Sequence, residues 1–158
     1  MKNNIFILKK IDEEIIKQLV NIYCSAFSKF YFRNWSFQDF IDLINNGYSI
    51  FYSIYNDKVI GFAVVSFNKD FSEIITIAVE SNYQRKNGGR NLLNYIMSST
   101  DFEGNFILDV AIINTVAIKF YEKAGFKEIG KRHNYYLICE GDNVGHKIDA
   151  AVMQLRLY

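Results

Sequence analysis

The segment 83–93, Tyr-Gln-Arg-Lys-Asn-Gly-Gly-Arg-Asn-Leu-Leu, concentrates three cations and two adjacent glycines between residues 85 and 90. That is chemistry for holding an anion. The run Ile74–Val79 just before it reads as a buried strand, and Leu92, Leu93, Ile96 and Met97 after it repeat at helical spacing. A turn between a strand and a helix start carries main-chain N–H groups with no intrahelical partner, and these can point at a phosphate. The partial positive charge of the helix terminus adds to Arg85, Lys86 and Arg90. Gly88 and Gly89 lack a Cβ and let the main chain come close to a ligand. A basic surface loop ending in a glycine turn would have the same composition, so this window alone leaves both readings open.

A second group of polar residues lies in the span 108–126. Asp109 interrupts a strand pattern whose same-face neighbours are Ile107 and Ala111, so its carboxylate is not on an evidently solvated stripe. Asn114 and Tyr121 are two helical turns apart and share a face with Ala117 and Ile118. Each has a plain structural explanation: a strand end, a helix N-cap, a core aromatic with its hydroxyl satisfied. Their joint occurrence downstream of a candidate phosphate turn makes them candidates for a reaction centre.

Around these residues the pattern predicts a strand at Ile5–Lys9 and a helix capped by Asp12 that runs to Phe27. Residues 27–35 form an aromatic loop, which either walls a groove or packs between helices. Ser36 with Asp39 resembles a capping box opening a helix that Gly47 closes. Strands follow at Tyr48–Tyr55 and Val59–Phe67, joined by an Asn56-Asp57 turn, then at 73–80. The helix after the basic turn reaches about Ser99. A strand at Asn105–Ile113, a helix at Asn114–Ala124, and two closing strands at Phe126–Cys139 and Lys147–Leu157 complete the order βααβββαβαββ. No linker or repeat breaks it, so residues 1–158 are expected to form one mixed α/β (α+β) domain.

Composition narrows the function classes. A net charge of +1 supplies no global attraction to nucleic acid or an anionic membrane. Ile5–Leu8 is too short for a signal-peptide core or a membrane span, so a soluble cytoplasmic protein is expected. Cys24 and Cys139 make neither a disulfide framework nor a metal cluster and are expected to be small buried hydrophobes. No metal is expected.

In combination, the order strand, Gln84-Arg85-Lys86-Asn87-Gly88-Gly89-Arg90, helix, Leu108-Asp109-Val110, Asn114, Phe120-Tyr121-Glu122-Lys123-Ala124-Gly125-Phe126 resembles the GNAT acyltransferase superfamily. Ile77-Ala78-Val79, Tyr83-Gln84-Arg85 and Lys131-Arg132-His133-Asn134-Tyr135-Tyr136 are similar to its RimI-type N-terminal acetyltransferases. The likeness runs from about residue 73 to 155; the N-terminal third matches in element order and in an aromatic segment with Trp35-Ser36. It implies a mostly antiparallel twisted sheet of six to seven strands flanked by about four helices.

The resemblance further implies acetyl-CoA as co-substrate, its pyrophosphate wrapped by the turn from Gln84 to Arg90. Asn87 stands where the family's first glycine falls; Asn is the non-glycine residue that best tolerates left-handed angles. Main-chain groups of Ile77, Ala78 and Val79 would pair with the pantetheine arm, the Val79 N–H would polarise the thioester carbonyl, and Asn114 would bond the arm farther along. Tyr121 corresponds to the general acid for the departing thiolate, and Asp109 to the position of the general base. Tyr135, Tyr136 and Trp35 would lie beside the acceptor; Tyr135 and Tyr136 read equally as an aromatic pair on a strand surface. His133 has no partner legible in sequence.

The implied reaction is transfer of acetyl to a protein N-terminal α-amine by direct attack in a ternary complex. A small-molecule amine acceptor is the alternative. A degenerate acyl-CoA-binding module is the second, kept open by Asn87 and Asp109. A monomer or weak homodimer is expected.

Overall fold

Strand β3 (Lys58–Phe67) is apolar on both alternating faces, and such a strand must lie between two layers. The computed structural model, which describes residues 3–99 and 104–157, gives it that place. Antiparallel neighbours are β2 (Ser49–Tyr55), with β1 (Asn4–Ile7) at the edge, and β4 (Phe71–Val79). Beyond β4 come β5 (Asn105–Ala111), β7 (Lys147–Arg156) and the opposite edge strand β6 (Lys127–Leu137), in the order β1-β2-β3-β4-β5-β7-β6. Helices α1 (Glu13–Phe27) and α2 (Phe37–Asn45) precede β2; α3 (Gly88–Ser98) and α4 (Thr115–Lys123) flank β5 in the chain. Element order and sheet agree with the sequence-based expectation.

One core holds Leu92, Leu93 and Ile96 of α3 and Tyr121 of α4 against Phe51, Ala63, Val65, Phe106 and Leu108. The other holds Ile16, Leu19 and Ile22 of α1 and Phe40 of α2 against Ile50, Phe62, Val64 and Ala78. The local signals act as read. Asp12 Oδ1 accepts from the Ile15 N–H at 3.2 Å, and Ser36 and Asp39 form both halves of a capping box. Asn56 and Asp57 both take positive φ, 48° and 59°, as a tight hairpin turn with right-handed strand twist requires.

Two features were not legible. Ile74 and Ala78, an even number of residues apart, should share a sheet face, yet they enter opposite cores. The register supplies the reason: Thr76 pairs with Val64 and Ile74 with Val65, so Ile75 is an extra residue and β4 is bulged there. Second, Cys139 is exposed rather than buried, because β6 ends at Leu137 and Cys139 falls in the following loop, its N–H donating to Tyr31 O at 2.7 Å. Cys24, on α1, is half-buried. No described helix is long and apolar enough to cross a membrane.

Candidate active site

Strands β4 and β5 pair in parallel only from Phe71↔Asn105 to Ile74↔Leu108. Beyond the bulge at Ile75 they part, and the wedge between them becomes a cavity of about 270 Å³. Ile74–Ile77 line one side, Asp109–Ala111 the other, with Asn114, Ala117 and Tyr121 of α4 alongside. Aromatic residues close it: Tyr23, Phe27, Phe30, Phe32 and Trp35 from the first third of the chain, Tyr135 and Tyr136 from β6. Seven residues singled out in the sequence (Trp35, Ile77, Asp109, Asn114, Tyr121, Tyr135, Tyr136) therefore meet around one space. Ala78 packs in the α1/α2 core, and neither it nor Val79 lines the cavity.

At its far end β4 leads into the basic turn. Gln84 Nε2 donates to Val79 O at 2.9 Å and ties the turn to the strand. Arg85 and Asn87 take left-handed angles, φ 61° and 64°. Asn87 thus does what the missing glycine would, as the N-cap of α3, without spending its side chain on the cap. Main-chain hydrogen bonding stops at Gln84 N–H, which donates to Ser81 O, and resumes at Asn91 N–H, which donates to Asn87 O at 2.9 Å. The N–H groups of residues 85–90 between them have no main-chain partner among the described residues. A Cβ at Gly88 would meet Val79, and one at Gly89 the Phe120 ring, both at an ordinary 3.4 Å. Packing does not demand glycine at either place, although Gly88 itself is buried. Arg85, Lys86 and Arg90 are exposed around them. A cradle of unpartnered donors among three cations fits a polyphosphate.

Tyr121 is buried, its ring edge-on to Phe120 and Phe126. Its hydroxyl makes no hydrogen bond to another described residue, and burial drives its pKa well above the usual phenol value. It therefore keeps its proton at neutral pH. Asn114 Oδ1 caps α4 through the Ala117 N–H at 3.2 Å, leaving the amide nitrogen of that side chain for other work.

Asp109 is not free. Arg132 Nε lies 3.1 Å from both of its carboxylate oxygens, and the Tyr136 hydroxyl donates to its main-chain oxygen at 3.3 Å. Tyr136 stacks on Phe32, centroids 4.9 Å apart, so the aromatic loop walls the cavity. Trp35 stacks on Tyr23 at 4.8 Å and meets Phe40 edge-on, so it also packs between helices. Both readings of that loop hold, and Trp35 serves both. Burial pushes Tyr23 up to about 12 and Tyr136 higher still, so both are neutral donors.

Sequence reasoning missed Glu73, a second carboxylate on the cavity wall with no ion pair among the described residues. Its signal was a charge opening an otherwise apolar strand. It also missed the partner of His133: Asp149, 3.2 Å from Nδ1. Among the described residues no cluster of His, Cys, Asp or Glu could hold a metal.

A bulged strand parting from its parallel neighbour, a phosphate-type turn at its end and a buried phenol in the gap define an acyltransferase of the GNAT kind. The GNAT acetyltransferase family model matches residues 16–126, and the chain belongs to that family. It is 32% identical over 123 residues, 77% of this chain and 80% of the other, to the Escherichia coli K12 [ribosomal protein bS18]-alanine N-acetyltransferase. The crystal structure of the E. coli ribosomal-protein-S18-alanine N-acetyltransferase superposes with a TM-score of 0.80 at 27% identity, covering 99% of this chain and 94% of that one. Arabidopsis thaliana Naa50 in complex with the bisubstrate analogue CoA-Ac-MVNAL shares the fold, with a TM-score of 0.71 at 22% identity over 97% and 99% of the two chains.

Proposed function

We propose that this N-acetyltransferase moves acetyl from acetyl-CoA to the α-amine at a protein N-terminus, with an alanine-type terminus as the first acceptor to try. The observation that carries the reading is one strand serving two features: β4 lines, with β5, a cavity bearing Tyr121, Asp109 and Glu73, and it runs on into the turn whose N–H groups 85–90 have no main-chain partner among the described residues. The names of the E. coli and Arabidopsis relatives support the acceptor class.

Bound acetyl-CoA supplies the acyl group as a thioester. The chain's residues do the rest. The turn from Gln84 to Arg90 would hold the diphosphate, and the main chain of Ile77, Ala78 and Val79, with Asn114, would hold the pantetheine arm. The Val79 N–H would take the carbonyl oxygen. Tyr121, protonated and without a hydrogen-bond partner, is the acid for the departing thiolate. Glu73 and Asp109 are the two candidates to receive the amine's proton, directly or through water; Asp109 already shares both oxygens with Arg132. Trp35, Tyr135 and Tyr136 belong to the acceptor's wall.

The acceptor's own chemistry favours an α-amine. With a pKa near 7.7–8.0, keeping it neutral at pH 7 costs about 1 kcal/mol, whereas a lysine amine near 10.4 costs roughly 4.6 kcal/mol. A carboxylate already engaged by a guanidinium is a modest base, adequate for the first and poor for the second. The cavity, about 270 Å³, takes a terminal residue or two rather than a folded surface. The proposal extends to one catalytic domain over residues 1–158, a monomer or weak homodimer in the cytoplasm, with no nucleic-acid or membrane partner; the net charge of +1 supports the last point.

The test is initial-rate thiol release from acetyl-CoA with a hexapeptide beginning Ala-, its Nα-blocked twin containing lysine, and a panel of polyamines and amino acids. Turnover of the free-terminus peptide alone is expected. Turnover confined to small amines rejects the acceptor class, and cofactor binding without any turnover indicates a binding module.

A further inference from the structure

Strands β6 and β7 do not keep an unbroken register. Lys131 pairs with Ala151 and Arg132 with Ala150, but the next pair is Tyr136 with Ile148. Residues 133–135 of β6 thus stand opposite a single residue of β7, Asp149. The side chain of Asp149 fills the inside of this bulge. Oδ1 accepts the Asn134 N–H at 2.9 Å, and Oδ2 lies 3.2 Å from His133 Nδ1. Asn134 takes a left-handed φ of 53°, the conformation that lets its N–H turn toward β7.

The surplus residues have a measurable consequence for the cavity. In an unbulged antiparallel ladder Tyr136 would fall opposite residue 146, two positions farther along β7. At roughly 3.3 Å per residue, the bulge draws Tyr136 about 7 Å toward the cavity. Both ends of the bulge then grip Asp109: Arg132 at its carboxylate, Tyr136 at its main-chain oxygen. Tyr136 reaches Phe32, and Tyr135 lies beside Arg132, with the guanidinium carbon 5.8 Å from its ring centroid.

From this we infer that Asp149 is a positioning residue for the acceptor side of the reaction: its carboxylate holds the 133–135 bulge that sets Tyr136 and Arg132 against Asp109. The inference rests on the reading of that cavity as the acceptor site. Asp149 itself touches no substrate. Its removal relaxes the bulge and leaves the turn at residues 84–90, on the far end of β4, untouched.

Asp149→Leu, with the same branched side-chain skeleton but larger and without acceptors, is expected to raise the KM for the acceptor peptide about tenfold while the KM for acetyl-CoA stays within about twofold. Asp149→Asn keeps an oxygen for the Asn134 N–H and is expected to recover most of the loss. Amide exchange read by NMR gives an arm independent of turnover: the Asn134 N–H should exchange faster in Asp149→Leu than in wild type or Asp149→Asn, with α3 amides unchanged. Should Asp149→Leu not fold, His133→Ala removes one of the two bonds at an exposed site and should raise the acceptor KM two- to threefold with acetyl-CoA unaffected. Equal rises in both KM values, an unmoved acceptor KM, or an Asn134 amide still protected in Asp149→Leu each overturn the proposal. If the wild-type protein acetylates no peptide, the acceptor class proposed above falls, and the exchange arm still decides whether Asp149 holds the bulge.

Discussion

Around the turn at residues 84–90 the groups left open to a ligand are main-chain N–H groups without a main-chain partner among the described residues, supplied by one unbroken stretch of chain. Across the cavity they are side chains drawn from far apart: Phe32 before α2, Glu73 on β4, Asp109 on β5, Arg132 and Tyr136 on β6. The first kind of site is made by local conformation and tolerates change in side chains. The second exists only after the sheet has assembled, and each member depends on the others' positions. A superfamily that keeps one donor and changes its acceptors would keep the first and vary the second. The family match over residues 16–126 takes in the turn and Tyr121 together with Phe32, Glu73 and Asp109, and of the second set it leaves out only Arg132 and Tyr136 of β6.

Tyr121 stands between the two regions, and the largest effect is expected there. Tyr121→Phe should lower kcat by about 10²-fold or more, the usual worth of a positioned acid, with acetyl-CoA binding by calorimetry unchanged. The ring is buried and its hydroxyl has no partner among the described residues, so removing it leaves no group unsatisfied and stability should hold. Unchanged turnover removes Tyr121 from the acid role and breaks the link between the regions.

That division explains what the sequence could tell. The turn, the helix N-caps and the hairpin are encoded by neighbours a few residues apart, and the chain spells them out. Tyr121 and Asp109 stood out because a carboxylate breaks an apolar strand pattern and a tyrosine falls two helical turns from Asn114; the structure brings both to the cavity wall. Glu73, the Phe32–Tyr136 stack and the Asp149 contact did not stand out, because their partners are 15 to more than 100 residues distant and pairing depends on register. The bulges at Ile75 and at 133–135 break the period-two rule that sequence reading relies on. The cysteine expectation failed for a similar reason: an apolar stretch continued past the last residue that the sheet could use.

The donor region can be tested through its backbone alone. Asn87→Val puts a β-branched residue at φ 64°, a conformation that costs roughly 1–2 kcal/mol for a residue with a Cβ. If the loop opens in response, the acetyl-CoA KM should rise about 5- to 30-fold while the acceptor KM is unmoved. Asn87→Gly should leave both within about twofold. A variant in which the acceptor KM also rises would show that the two regions are coupled, and the contrast between them would fail.

The two carboxylates separate by a smaller margin. With Asp109 held by Arg132, Glu73 is the less encumbered proton acceptor, so Glu73→Gln is expected to slow kcat/KM more than Asp109→Asn, by about fivefold at pH 7. The magnitude follows from the α-amine, whose deprotonation at pH 7 costs only about 1 kcal/mol. The deficit should therefore shrink as pH rises past 8 and the amine loses its proton unaided. A deficit that persists to pH 10 points instead to a lysine-like acceptor, and a larger loss in Asp109→Asn returns the base role to Asp109.

The smallest effect concerns the aromatic loop, which reaches the cavity through Phe32 and Trp35 and is anchored just beyond by Asp39. That carboxylate accepts from Arg33 Nη1 at 2.8 Å and from the Ser36 N–H at 2.7 Å. The Arg33 hydrogen bond is the main cause, with the Ser36 donors, of a pKa held below the usual aspartate range. A depressed folded pKa means that the contribution to stability is complete above the unfolded value near 3.9 and is lost as pH falls through the folded one. Asp39→Asn should lower Tm by about 2–4 °C at pH 7, the size expected for a capping interaction worth about 1 kcal/mol in a domain of this length. The gap to wild type should narrow at pH 2, as Asp39 takes up its proton below the unfolded value near 3.9. Scanning calorimetry at the two pH values decides it: a gap of equal size at both would mean that the charge on Asp39 does not hold the loop, and that shape alone anchors this wall of the acceptor cavity.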